Sequence, residues 1–122
     1  MTERQVVIQN ISDVPWDEFP GHFRGALSKP LVNADRLGAK FISHTISSFL
    51  PMAYSERHVH PNKEQIFHVL EGEGLFEYGN EKRVIRKHDV VFIPPGVEHG
   101  ISNIGLDNLV FLVITSQPPS AG

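Results

Sequence analysis

Two histidines one residue apart, followed by a short apolar run that closes on glycine, constrain this chain more than any other feature. The stretch reads His58-Val-His60-Pro-Asn-Lys-Glu-Gln65-Ile-Phe-His-Val-Leu-Glu-Gly72. Alternate side chains of extended backbone share a face, so His58 and His60 point the same way. Ile66 to Leu70, interrupted by His68 and closed by Glu71-Gly72, is a strand that ends in a turn. Paired imidazoles on one face are a common start to a metal site, because neutral His nitrogen suits zinc, iron, copper and nickel. Further on, Val90 to Ile93 carries a buried-strand signal, Pro94-Pro95-Gly96 forces a turn, and Val97-Glu98-His99 brings in a third imidazole.

These two stretches together resemble the paired motifs of the cupin family. The first family motif is Gly-x5-His-x-His-x3,4-Glu-x6-Gly, matched at His58, His60 and Gly72, with Met52 in place of the leading Gly. The second is Gly-x5-Pro-x-Gly-x2-His-x3-Asn, matched at Pro94, Gly96, His99 and Asn103, with His88 in place of its Gly. The resemblance covers residues 52 to 103. It implies a double-stranded β-helix, or jelly roll, holding one divalent transition metal (Mn, Fe, Zn, Ni, Co or Cu) in its mouth. The implied ligands are His58, His60, His99 and a fourth group where the family has glutamate. Here the sequence departs from the pattern. Four residues after His60, and six before Gly72, stands Gln65. Counting three residues after His60 gives Glu64 instead. Strand parity puts Gln65 with Phe67 and Val69 and sends Glu64 to the opposite face unless a bulge intervenes, so Gln65 is preferred and Glu64 is the alternative.

The rest of the chain is consistent with one domain. Its 122 residues, 40% hydrophobic, suit a single core. The net charge of −3 comes without a basic stripe or a nucleic-acid motif, and no apolar run approaches a membrane span. Met1 to Gln5 lacks a secretion-signal profile and there is no cysteine, so a cytoplasmic protein without disulfides is expected. Strand signals recur at Val6 to Ile8, Ala39 to Leu50, Gly72 to Tyr78, Glu81 to Arg86, Val90 to Ile93, Ile101 to Ile104 and Leu109 to Thr115. Gly79-Asn80 is a two-residue hairpin signal. Phe23 to Asp35 reads as short extended pieces around Pro30, and Trp16 is expected over a barrel face or at one end. Many short strands with hardly any helical periodicity make an all-β fold. The domain is placed at residues 1–115, with a loose tail over 116–122.

An amide in place of the family carboxylate changes the chemistry of a metal site. Three imidazoles and a carboxylate cut a divalent ion's formal charge to a single one; three imidazoles and an amide leave it double. Such a site is the stronger Lewis acid and favours a chelating anion or a developing enolate. A Gln-containing first motif is similar to that of small cupins acting as uronate-processing lyases and as an isomerase in antibiotic biosynthesis. Isomerase, lyase or decarboxylase chemistry on a small oxygenated anion is therefore the leading reading. An Fe(II)-type dioxygenase and a non-catalytic small-molecule-binding module are the alternatives. Acid/base work needs a group within reach of the substrate. Glu56, which shares the parity of His58, and His44, on the preceding strand, are the candidates; Arg57 and Asp107 are further ones. His68 has the parity of the outer face or an interface, and His88 sits exposed in a turn. Phe67, Val69, Phe76, Phe92, Phe111 and Val113 are expected to fill the interior, and Asn103 to make a turn or ladder hydrogen bond near His99. The free Val6–Ile8 strand and an exposed sheet edge point to a homodimer.

Overall fold

The computed structural model describes residues 5–117. A single 3-10 turn, Ile11–Asp13, precedes ten strands: β1 His22–Phe23, β2 Ala26–Val32, β3 Ile42–Phe49, β4 Tyr54–Ser55, β5 Gln65–Glu71, β6 Glu73–Tyr78, β7 Glu81–Arg86, β8 Val90–Ile93, β9 His99–Asn103 and β10 Leu109–Ser116. They form two five-stranded antiparallel sheets, ordered β1-β4-β9-β6-β7 and β2-β3-β10-β5-β8. From β5 onward the chain crosses between the sheets at every step except the β6–β7 hairpin, which gives a jelly-roll barrel. Inward-facing residues of the two sheets meet in one core. Phe111 lies edge-on to Phe49 at 5.1 Å and stacks on Phe67 at 5.5 Å, and Val69, Ile85, Ile93, Ile101 and Leu109 close around them. A smaller cluster of Val14, Leu31 and Ile46 covers part of the second sheet's outer face. There Trp16 lies over that sheet, its ring 4.7 Å from the Lys29 ammonium.

Several expectations shift. Ala26 to Val32 forms one strand with a register irregularity between Pro30 and Val32, where proline cannot donate to the ladder. Val6 to Ile8 joins no strand, and Val6 and Ile8 are each 92% exposed. Ser116 belongs to β10 and the Gln117 amide donates to the Phe41 carbonyl, so the ordered chain runs past the expected boundary; the remainder of the expected tail, 118–122, lies outside the described residues. Phe92 is 57% exposed, because it pairs with outward Ile66 while Val91 and Ile93 take the inward positions of β8. Among the described residues, no helix is long and apolar enough to cross a membrane.

The motif positions that lack the family glycine explain themselves in the backbone. Met52 (φ 73°) and His88 (φ 78°) both occupy the left-handed region that glycine adopts freely. Gly72 has no such latitude. At φ 84°, a Cβ there would lie 2.5 Å from the Asn108 carbonyl oxygen.

Candidate metal centre

His58 and His99 face one another across an antiparallel bridge, each amide donating to the other's carbonyl at 2.9 Å. The Pro94-Pro95-Gly96 turn adds a second tie, since the Gly96 amide donates to the His60 carbonyl at 2.8 Å. This pairing brings residues some forty positions apart into one cluster. The ring centroids of His58 lie 4.9 Å from those of His60 and 4.5 Å from those of His99. One ring nitrogen from each of the three falls within 4.8 Å of the others, close enough to share a metal ion.

Hydrogen bonds decide which nitrogen each ring offers. Nδ1 of His58 lies 3.0 Å from the Glu56 carbonyl, and Nδ1 of His99 lies 2.8 Å from the Val97 carbonyl. A carbonyl only accepts, so both Nδ1 atoms carry the proton and both Nε2 atoms keep a free electron pair. This is the outer hydrogen bonding that orients metal-binding imidazoles. His99 is 1% exposed, wedged against Phe67 and Phe76, and its Nε2 is sealed with no partner. Burial pushes the His99 imidazole below its ordinary value, with nearby His58, His60 and Arg57 acting the same way against the Val97 carbonyl. His60 is lowered too, by burial first and then by His58 and Lys63. The two rings are therefore neutral at pH 7, the form that binds metal.

Gln65 opens β5 with its side chain inward, 6% exposed. Its Nε2 donates to Thr115 Oγ1 at 3.0 Å, which turns the amide oxygen the other way; that Oε1 is buried and unpartnered. An unsatisfied buried acceptor costs about 1–3 kcal/mol, and native proteins rarely leave one without an ion or water to meet it. Gln65 lines the same cavity as His58 and His60, of about 590 Å³. Glu64 is exposed, as the strand parity required. The donor set fits a divalent ion: three imidazole nitrogens and an amide oxygen, two of whose atoms have no other partner.

The remaining candidates separate by place. Glu56 lies at the cavity rim and is exposed. Arg57 also reaches the cavity, but its guanidinium is held by Glu98 at 3.1 Å, Glu77 at 3.7 Å and the Gly79 carbonyl. His44 does not reach it. Thr45 and Ser47 of β3 line the cavity, so His44 and Ile46 point outward by strand alternation, and His44 Nε2 is buried there without a partner. Asp107 sits in the β9–β10 turn, away from the cavity. Asn103 holds that turn together by donating to the Phe49 and Asp107 carbonyls and accepting from the Gly105 amide, at the end of β9 opposite His99. His68 shares the outer face with Ile66, and His88 is exposed. A second cleft of about 530 Å³ opens between β7 and β8 and contains no histidine.

Sequence reasoning missed His22. It lines the cavity with His58 and His60, yet it belongs to neither motif and sits in a segment with weak alternation. Burial lowers its imidazole below the ordinary value, and His58 adds to this against the Ala26 carbonyl and Glu18.

A small antiparallel barrel with three imidazoles clustered at a cavity defines a cupin, and the chain belongs to that family: the model described as a cupin domain matches residues 45–115. An uncharacterised protein of Methanocaldococcus jannaschii is 41% identical over 63 residues, 52% of this chain and 50% of that protein. Auxin-binding protein 1 of Arabidopsis thaliana is 32% identical over 123 residues, 93% of this chain and 60% of that protein. The chain thus spans about half to three fifths of the length of these curated relatives. Among solved structures, a predicted oxalate decarboxylase from Thermotoga maritima superposes with a TM-score of 0.82 at 22% identity, covering 92% of this chain and 100% of that one. That likeness is one of fold.

Proposed function

We propose that the chain is a metal-dependent cupin enzyme acting on a small oxygenated anion by isomerase, lyase or decarboxylase chemistry. His58, His60 and His99 would hold the ion through ring nitrogens and Gln65 through its amide oxygen. Bound there, a divalent cation supplies Lewis acidity toward an anionic oxygen and the charge that develops on it. The observation that carries this reading is the set of electron pairs left free: two imidazoles locked as Nδ1–H, and a buried amide oxygen with no partner. Because Gln65 brings no charge, the site keeps the ion's full attraction for an anionic ligand. Phe67 and Phe111 wall the cavity and limit water, while the Ser28 and Ser47 hydroxyls, 2.8 Å apart, offer a hydrogen-bonding floor. The name of the Thermotoga neighbour favours a short dicarboxylate such as oxalate as a first probe. A non-catalytic binding module is the second reading, favoured by the relative named for auxin binding.

Elemental analysis of protein purified without added metal tests the first step. One equivalent of a transition metal is expected, lost in His58→Ala and reduced in Gln65→Ala. Wild-type protein that stays metal-free after incubation with manganese, iron, cobalt, nickel, copper and zinc would end the proposal. Anaerobic turnover of a chelating hydroxy or keto acid supports the Lewis-acid reading. Oxygen uptake replaces it with dioxygenase chemistry, and tight binding of the acid without turnover replaces it with the binding module.

A further inference from the structure

The cavity holds a titratable side chain that neither motif contains and that the metal cluster does not use. His22 opens β1, pairs with Ser55, and so lies beside the strand that leads into His58. Its ring is clamped between Phe49, edge-on at 5.7 Å, and Phe19, tilted at 5.7 Å. Its Nδ1 is sealed from solvent and has no hydrogen-bond partner. His22 stands outside the group of three imidazoles able to share an ion, so the metal does not account for it.

Elimination among the cavity's own residues sharpens the point. The titratable side chains that line it are His22, Glu56, Arg57, His58 and His60. His58 and His60 belong to the cluster, Arg57 is tied to two glutamates and a carbonyl, and Glu56 is exposed at the rim. His22 is the one left, half-buried between two aromatic rings with the Ala26 carbonyl beside it. An imidazole fixed by flanking rings and a backbone carbonyl, and lining a ligand cavity, keeps one nitrogen for something that the cavity takes in.

We propose that His22 is the proton-transfer residue of this cavity, touching a small 2-oxo or 2-hydroxy carboxylate on the flank turned away from the metal cluster; this rests on the metal-dependent reading above. The neutral ring accepts the proton from the carbon beside the substrate carbonyl. The C–H bond breaks, its electron pair stays on the substrate as an enolate, and an N–H bond forms on the imidazole. The imidazolium then returns that proton to the substrate, to the same carbon, its neighbour or a departing oxygen, and the ring is neutral again.

The test is affinity labelling of zinc-loaded full-length protein with bromopyruvate, a 2-oxo carboxylate whose methylene carbon alkylates imidazole. An N–C bond forms, the C–Br bond breaks and bromide leaves. The chain has no cysteine to compete. Peptide mass spectrometry should show His22 labelled at least tenfold faster than outward His68 and His88, and oxalate should slow that labelling at least tenfold. His22→Gln should lose the label while keeping zinc content and melting temperature. Labelling that follows exposure across the histidines, or a His22 label indifferent to oxalate, overturns the proposal. These readouts on the wild type stand even if His22→Gln fails to fold. Failure to load zinc or any of the other five ions, read by elemental analysis before any label is added, would instead overturn the metal reading.

Discussion

Gln65→Met separates the fold's interest in the amide from the metal's. The two side chains are close in volume, so packing beside Phe67 and Thr115 is little disturbed. In the metal-free protein the substitution removes the hydrogen bond from Gln65 Nε2 to Thr115 Oγ1 at 3.0 Å and leaves the buried Thr115 hydroxyl without that partner, at a cost of about 1–3 kcal/mol. It also removes the buried, unpartnered Oε1, which costs the native fold about 1–3 kcal/mol. The two terms nearly cancel, so the melting temperature should move by no more than roughly 3–5 °C, the equivalent of about 1 kcal/mol for a chain of this size. In the loaded protein the variant loses, because thioether sulfur is a poor replacement for amide oxygen on manganese, iron or zinc. Affinity for such an ion should fall about tenfold or more, roughly 1.4 kcal/mol. Calorimetric melting of the metal-free protein and competition with a chelator for the ion check the two halves. A variant less stable without metal by more than about 2 kcal/mol would refute the unpartnered-oxygen argument. Unchanged ion affinity would show that Oε1 serves the fold and not the site.

Other outcomes follow from the same geometry. His22, His44, His60 and His99 all titrate below the ordinary 6.5, with burial the largest cause in each. Below that value the unfolded chain binds more protons than the folded one, so metal-free protein should hold its full stability above it and lose it as pH falls toward the folded values. Melting temperatures from about pH 7.5 down to about 5.5 will show this, and a flat profile would contradict it. Met52→Gly and His88→Gly relieve left-handed side chains at φ 73° and 78°; after the entropy cost of glycine, each should gain about 0.5–1 kcal/mol in urea unfolding. Gly72→Ala should lose more than about 2 kcal/mol, since both its φ and the Asn108 carbonyl oppose a Cβ. Phe92, Val90 and Ile66 present an apolar outer face, 57%, 60% and 36% exposed. We expect light scattering to find a dimer, and Ile66→Glu with Phe92→Glu to shift it toward monomer.

Local chemistry was enough to read most of the strands, several turns and the three clustered histidines. Alternation in a strand is a property of a few consecutive residues, so the shared face of His58 and His60, and the inward position of Gln65 rather than Glu64, could be read without a fold. The Pro94-Pro95-Gly96 turn likewise announces itself. What a side chain meets across the barrel is different in kind. Whether β3 turns Thr45 or His44 inward depends on which of its faces the other sheet covers, and both faces carry plausible residues. The same holds for Phe92 on β8: apolar on both faces in sequence, buried on one. β1 is two residues long and has no periodicity to read, so His22 gave no signal; only its pairing with Ser55 carries it to the cavity. Sequence alone therefore determined most of the elements and the motif histidines, because those rest on spacing along one segment. The tertiary structure decided which faces are inside, which hydrogen bonds free each nitrogen, and which further imidazole lines the cavity, because those depend on contacts between segments far apart in the chain.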